Sequence, residues 1–160
     1  MNTMRTHRYA SSLCALLLCA GCASTPESTP ERDEWAKHFE PVTRDSVIYV
    51  YRPDMQSPMA STELYVNRRL VGSSLPGTYF RIPVLPGNSV IDVFAGDGSP
   101  ITVATRGNDV VFVELRNYGT DEGTPNMRFR QVSAEAGKQA ILDCCSRLEL
   151  YKSDQPRLLW

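Results

Sequence analysis

From Asp45 onward apolar and polar residues alternate with a period of two, and glycine, proline or asparagine interrupts the alternation every few residues. Successive side chains of an extended strand point to opposite faces, so this rhythm describes half-buried strands joined by tight turns. It predicts strands near Val47–Arg52, Glu63–Val66, Leu70–Ser73, Thr78–Val84, Ser89–Ala95, Ile101–Thr105, Val110–Tyr118 and Met127–Val132. Asn67-Arg68-Arg69 can reverse one hairpin, and Pro86-Gly87-Asn88, Gly96-Asp97-Gly98 and Gly107-Asn108-Asp109 supply permissive backbone for other turns. Alternation turns Leu64, Val66, Phe80, Ile82, Ile91, Val93, Val111, Val113, Leu115, Met127 and Phe129 inward, with Glu63, Arg81, Asp92, Glu114, Arg116, Arg128 and Arg130 on the opposite faces. Sequential short strands of this kind bury their apolar sides best as an all-β, antiparallel β-sandwich of about seven to eight strands.

The period changes at both ends of this region. Thr29-Pro30-Glu31 reads as an N-cap followed by proline at the first helical position, and Trp35 and Phe39 lie one turn apart before Pro41. A short N-terminal helix docking two aromatics is expected, on its own domain or, alternatively, on a partner. Ser133 caps a second helix over 134–148 in which Ile141, Cys145 and Leu148 share a face, suited to cover one sheet edge or end. Ala23 to Pro30 is rich in serine, threonine and proline and reads as a disordered tether. The chain thus divides into a targeting segment over 1–21, a linker over 22–30, a helix and lead-in over 31–44, the sandwich with its C-terminal helix over 45–148, and a tail over 149–160.

Arg5 and Arg8 precede the apolar run Leu13-Cys14-Ala15-Leu16-Leu17-Leu18-Cys19-Ala20, the charged and apolar regions of a secretory signal peptide. The run is too short to span a bilayer as a helix. Its end, Leu18-Cys19-Ala20-Gly21-Cys22, resembles the bacterial lipobox, with Cys19 at the position that usually carries leucine. The resemblance implies cleavage before Cys22 and lipidation of that cysteine; the alternative is an ordinary cleaved signal that leaves Cys22 as a free thiol. Ala23, rather than aspartate, follows Cys22, which by the same resemblance implies the outer membrane. Removing 1–21 takes two arginines and no acid from the chain's 17 basic and 18 acidic residues, so the formal net charge moves from -1 to -3. Such a balance offers no bulk attraction to nucleic acid.

Tyr49-Val50-Tyr51-Arg52-Pro53, Leu64-Tyr65-Val66-Asn67-Arg68-Arg69-Leu70-Val71-Gly72, Gly77-Thr78-Tyr79-Phe80, Leu85-Pro86-Gly87 and Ala134-Glu135-Ala136-Gly137 occur in an order that resembles a family of short uncharacterised bacterial lipoproteins, the domain of unknown function 2846. The Val-Asn-x-x-Leu-Val-Gly and Leu-Pro-Gly segments also resemble PEGA surface modules. The resemblance spans about residues 45 to 148 and implies a β-sandwich-like fold in a cell-envelope setting; it carries over no catalytic residue.

Searching for chemistry gives little. Beyond the targeting segment His38 is the single histidine, so two-histidine zinc motifs are absent and no nucleophile or orienting acid can be paired with it by spacing. Glu63, Asp92, Asp97 and Glu114 read as solvated strand and turn residues rather than a glycosidase pair, and Asp92 to Gly98 lacks the ligand rhythm of a calcium loop. Cys144 and Cys145 are adjacent; a bond between them is expected to be strained and to oppose the helix, leaving one thiol packed on the sheet and the other near the surface, or an intermolecular or redox role. Arg116, Arg128 and Arg130 on one strand face, with Arg68 and Arg69 at a hairpin tip, are the candidate binding residues for phosphates or an acidic partner. Tyr49, Tyr51, Tyr65, Tyr79 and Tyr118 suit either strand packing or a carbohydrate surface. The expectation is a non-enzymatic lipoprotein without metal or cofactor, held to the membrane through Cys22 and serving as an interaction module for an envelope protein. A ligand-binding lipoprotein for a glycan, lipid or other small molecule is the alternative.

Overall fold

The computed structural model describes residues 25–54, 61–94, 99–119 and 126–151. Cys22 with the targeting segment, the Gly96-Asp97-Gly98 turn and most of the C-terminal tail lie outside the described residues. The chain forms α1 (Pro30–Ala36), β1 (Ser46–Arg52), β2 (Thr62–Val66), β3 (Arg69–Ser74), β4 (Thr78–Val84), β5 (Gly87–Val93), β6 (Ile101–Thr105), β7 (Val110–Asn117), β8 (Met127–Val132), α2 (Ala134–Cys144) and β9 (Ser146–Leu148). Two sheets pack face to face as an all-β sandwich, the first in the order β8-β7-β1-β4-β9 and the second in the order β3-β2-β5-β6.

The first sheet is mixed rather than purely antiparallel. β1 runs antiparallel to β4, with Val50 opposite Phe80, but parallel to β7, with Val50 opposite Val113. β9 is parallel to β4, Phe80 facing Leu148. Parallel neighbours need long crossovers, and here the connection from β1 to β7 holds the whole second sheet together with β4. The Asn67-Arg68-Arg69 turn joins the paired strands β2 and β3 as expected, whereas the short connections at Pro86-Gly87-Asn88 and Gly107-Asn108-Asp109 carry the chain from one sheet to the other, and none of these turns bears on the two parallel pairings.

The predicted inward residues meet between the sheets, where Leu64, Val66, Phe80, Ile82, Ile91, Val93, Val113, Leu115 and Met127 are buried with Ile48 and Val50, and Val111 and Phe129 pack at the margin. A second core lies on the other side of the first sheet. Val47, Tyr49, Tyr51, Tyr79 and Phe112 gather there under Ala36, Phe39, Ile141 and Cys145. β1 is consequently buried along its whole length. Its near-continuous apolar sequence is what a strand covered on both faces requires.

Two residues assigned to outer polar faces are covered by this second layer. Arg81 is buried, its Nε donating to the Tyr49 hydroxyl at 3.1 Å and its Nη2 to the Glu40 carbonyl at 3.2 Å. Glu114 is buried as well, because Arg116 and Arg130 close over it. Alternation assigns a side chain to a face; it does not say what covers that face.

Three further expectations are corrected. α1 ends at Ala36, so only Phe39 docks, at φ 56°, while Trp35 stays half exposed with the Arg81 guanidinium 4.7 Å from its ring centre. α2 ends at Cys144, and residues 146–148 form β9 instead of a last helical turn. The part of the proposed tether that is described, from Thr25 to Thr29, runs antiparallel to β9: Ser28 N donates to Arg147 O at 2.9 Å, Glu149 N to Pro26 O at 2.9 Å, and Ser28 Oγ to Glu149 Oε1 at 2.6 Å. Main-chain groups make most of these bonds, and an open strand edge accepts any sequence that can extend. A Ser/Thr/Pro-rich composition consequently fails to disclose the docking.

Candidate functional site

The five candidate arginines do not form one site. On the first sheet, antiparallel pairing sets Arg116 of β7 opposite Arg128 of β8, and Glu114 opposite Arg130. These side chains share the face that also carries Phe112, two residues earlier on β7, so the group continues the helix-covered layer beyond α2. Glu114 Oε2 accepts from Arg130 Nη2 at 2.6 Å and Nε at 3.0 Å, while Oε1 pairs with Arg116 Nη2 at 2.9 Å. Burial pushes the Glu114 carboxyl up, but the hydrogen bonds and charges of Arg116 and Arg130 outweigh it and hold the pKa below the usual carboxylate range. Arg128 stands over the exposed Tyr118 ring at 5.6 Å. One carboxylate thus neutralises part of a three-arginine group, and its chemistry is that of a pinned, moderately positive surface.

The second sheet carries the other two. Asn67 and Arg68 form the β2–β3 turn at φ 50° and 66°, the left-handed pair that a two-residue hairpin demands. Asn67 tolerates that conformation; Arg68 adopts it at a cost that glycine would avoid. The turn is tied to β5, since Asn67 N donates to Val90 O at 2.8 Å and Val90 N to Asn67 Oδ1 at 2.9 Å. Arg68 is thereby held over the outer face of β2 and β5. Arg69, one residue on, begins β3 and does not line the same surface recess.

That recess is a groove of about 430 Å³ lined by Tyr65, Arg68, Val90, Asp92, Phe94 and Pro100. The pairing of Tyr65 with Asp92 across β2 and β5 sets an aromatic ring beside a carboxylate. The Tyr65 hydroxyl donates to Glu63 Oε2 at 2.8 Å, and that bond to a carboxylate pushes the phenol pKa up. Asp92 Oδ1 accepts from Val93 N at 2.8 Å. Phe94 is 66% exposed and Val90 43%. Among the described residues the groove therefore offers apolar contact area, a guanidinium and the Asp92 carboxylate, without a nucleophile held beside a base. Among the described residues no group of three histidine, cysteine or acidic side chains could hold a metal ion.

Cys144 and Cys145 are joined in a vicinal disulfide, contrary to the expected pair of thiols. The conflict with the helix disappears because Cys145 has left it, with φ -125° and ψ 139°, so the bond spans the change from α2 to β9. Cys145 packs in the second core. His38 is exposed just beyond α1. Of the tyrosines, Tyr49, Tyr51 and Tyr79 are core residues, Tyr118 is exposed, and Tyr65 alone joins the groove. Val90, Phe94 and Pro100 were not singled out from the sequence. A usable signal exists for the first two: Val90 sits on the polar phase of β5, and Phe94 continues that phase one step past the strand.

These features define the chain as an all-β sandwich protein with one helix-covered face and one face that is bare among the described residues. It is similar to an uncharacterized protein of Haemophilus influenzae, strain Rd, 28% identical over 135 residues that span 82% of this chain and 79% of that protein. No family model and no solved structure matches the chain.

Proposed function

We propose that the chain is a lipid-anchored protein of the bacterial envelope, attached through Cys22 to the outer membrane and facing the periplasm, and that its sandwich is a non-enzymatic interaction module. Membership of the lipoprotein family named domain of unknown function 2846 is part of this reading. The observation that carries the binding role is the outer face of the second sheet, bare among the described residues, where Phe94 and Val90 are exposed beside Tyr65 and Arg68. Exposed aromatic and apolar side chains next to an arginine are the composition of a protein-contact centre. A second reading, recognition of a glycan or other small molecule, draws on the same groove, whose volume of about 430 Å³ lies in the range of ligand sites. The groove lies open on a sheet face instead of enclosing a ligand, which favours the protein partner.

A photo-crosslinking residue placed at Phe94, with one at the exposed Leu142 of α2 as control, tests the assignment in intact envelopes. A protein adduct from position 94 that is missing from position 142 and is lost in an Arg68→Glu background supports the module. Adducts to glycan or lipid alone move the second reading ahead. Separately, Cys22→Ser is expected to accumulate as unprocessed precursor without incorporated acyl label; normal processing contradicts the anchor.

A further inference from the structure

A sheet edge is a row of main-chain donors and acceptors without a neighbour, and this sandwich has four: β8 and β9 in the first sheet, β3 and β6 in the second. Three of them are covered or charged. β9 takes the N-terminal segment described above. β3 is covered at two points, Ser73 N donating to Thr25 Oγ1 at 2.6 Å and Val71 O accepting from Tyr151 N at 2.7 Å. β8 carries Arg128 and Arg130, and charged side chains keep an edge from pairing. β6, Ile101-Thr102-Val103-Ala104-Thr105, has no charge, no proline and no register shift against β5.

The neighbours of β6 determine which of its groups are open. Asn67 N donates to Val90 O and Val90 N to Asn67 Oδ1, so both main-chain groups of Val90 face β2. In an antiparallel ladder, directly opposite residues alternate between exchanging both bonds and exchanging none. Thr102, opposite Val90, and Ala104, opposite Asn88, are therefore of the second kind, and their N–H and C=O groups point away from β5. Among the described residues nothing receives these groups. The open stretch is bounded on both sides. Pro100 has no N–H, while Arg106 donates to Asp109 Oδ2 at 2.7 Å and its carbonyl accepts from Asp109 N at 3.0 Å and Ser46 Oγ at 2.6 Å. Pro100 and Arg106 stand three residues to either side of Val103, and Thr102 and Ala104 one residue to either side, so the free edge is symmetric about Val103.

We propose that a second copy of this chain adds its own β6 to this edge, antiparallel and about a two-fold axis at Val103. Thr102 then lies opposite Ala104 of the second copy, and Ala104 opposite its Thr102, so all the open groups of both strands pair at once in four N–H···O bonds. A shift of two residues either way sets an outward residue against Pro100 or Arg106, whose groups are missing or already bonded. The inward side chains meet as Val103 with Val103 and Ile101 with Thr105, which covers the half-buried Ile101 at the margin of the inter-sheet core. The arginines of β8, the strand of the first sheet nearest β6, point to the face that carries Phe112, away from the second sheet. Five residues a side is a small contact, below the about 1,200 Å² of a stable interface, so the dimer is expected to follow concentration. Pairing doubles the four-stranded sheet into one of eight strands and sets both grooves on one face, the two β5 strands about 14 Å apart. It depends neither on what occupies the groove nor on the anchor.

Full-length chains carrying either of two affinity tags are expressed together in one bacterial cell, extracted in mild detergent and captured through one tag. The wild type is expected to bring the second tag with it, in a proportion that falls on dilution. Thr102→Lys with Ala104→Lys sets lysine opposite lysine in both outer pairs and is expected to lower that recovery several-fold. Thr102→Lys with Ala104→Glu sets lysine opposite glutamate in both and is expected to return recovery to the wild-type level. Both positions are exposed, so each double variant is expected to melt as the wild type does. A photo-crosslinking residue at position 102 is expected to give an adduct of twice the chain mass, joined within residues 103–105 of the second copy. Recovery unaffected by the paired lysines overturns the edge contact, and equal recovery of the two double variants overturns the two-fold register. An adduct to a different protein, or none at twice the chain mass, overturns the second copy as the occupant.

Discussion

The two outer faces of the sandwich are made from strands with the same alternation, yet one is a core and the other a surface. On the first sheet the outward positions hold Tyr49, Tyr79 and Phe112, whose rings contact one another at 5.2 to 5.9 Å between centres and are roofed by Phe39 and α2. On the second sheet the outward positions hold Glu63, Tyr65, Val90 and Asp92, and no described helix lies over them. The difference lies in the size of what alternates. Large rings clustered on the outward phase bury more apolar area under a cover than singly exposed ones, whereas a mixture of acids, one valine and a tyrosine whose hydroxyl is satisfied can remain bare. Bareness with an exposed phenylalanine is then the feature that asks for a partner.

Truncating the covered face should break this contrast most. Phe112→Ala is expected to lose about 3 to 5 kcal/mol of unfolding free energy in a denaturant titration, against a change within about 0.5 kcal/mol for Phe94→Ala. Comparable losses at the two positions would mean that the second face is also covered. Next in size is Gly137→Ala. Gly137 brings α2 directly onto Phe112, and a Cβ there would overlap that ring, including its Cδ1 at 2.7 Å. Although alanine favours a helix, the variant is expected to lose about 1 to 3 kcal/mol, because ring and helix must part; a gain in stability would show that α2 is not seated on the sheet.

Glu114→Gln sharpens the comparison through pH. The folded Glu114 carboxyl is held below its unfolded value, so the stability it contributes is complete above about pH 4.3 and is lost as pH falls through the folded pKa. The wild type is therefore expected to lose stability more steeply on acidification than the variant, with the two curves converging at low pH. Parallel curves would mean that the arginines do not hold the carboxylate. The smallest effect has the opposite sign. Arg68→Gly relaxes a left-handed residue and is expected to stabilise the fold by up to about 1 kcal/mol while weakening the crosslink from position 94. Stabilisation with undiminished crosslinking would remove Arg68 from the binding face.

Much of the fold was legible because its strands follow the alternation: Thr78–Val84, Ile101–Thr105 and Met127–Val132 coincide with their predicted bounds, and the inward residues form the inter-sheet core. β9 was hidden, since Ile141, Cys145 and Leu148 fit a helical face as well as they fit a helix followed by three extended residues. The parallel partners of β1 and β4 were hidden because long crossovers leave no turn signature. The second core was in view without being read: the alternate residues of Val47-Ile48-Tyr49-Val50-Tyr51 are apolar in both phases, which already implies burial on both sides. At the candidate site, turn chemistry exposed Arg68, while the recess it lines depends on which strand lies beside β2, and β5 pairs there across a gap in sequence.

The seam between the N-terminal segment and β9 sets a timetable. Ser28 and Glu149, which close it, are 121 residues apart. During synthesis, residues 26–28 appear before any strand of the sandwich and lack their partners at residues 147–149 until β9 has followed α2. Closing so long a loop is among the slower steps a small domain can take. The earliest stretch of the domain to be made is thus the last to be fixed, and the start of the fold remains accessible until its far end arrives.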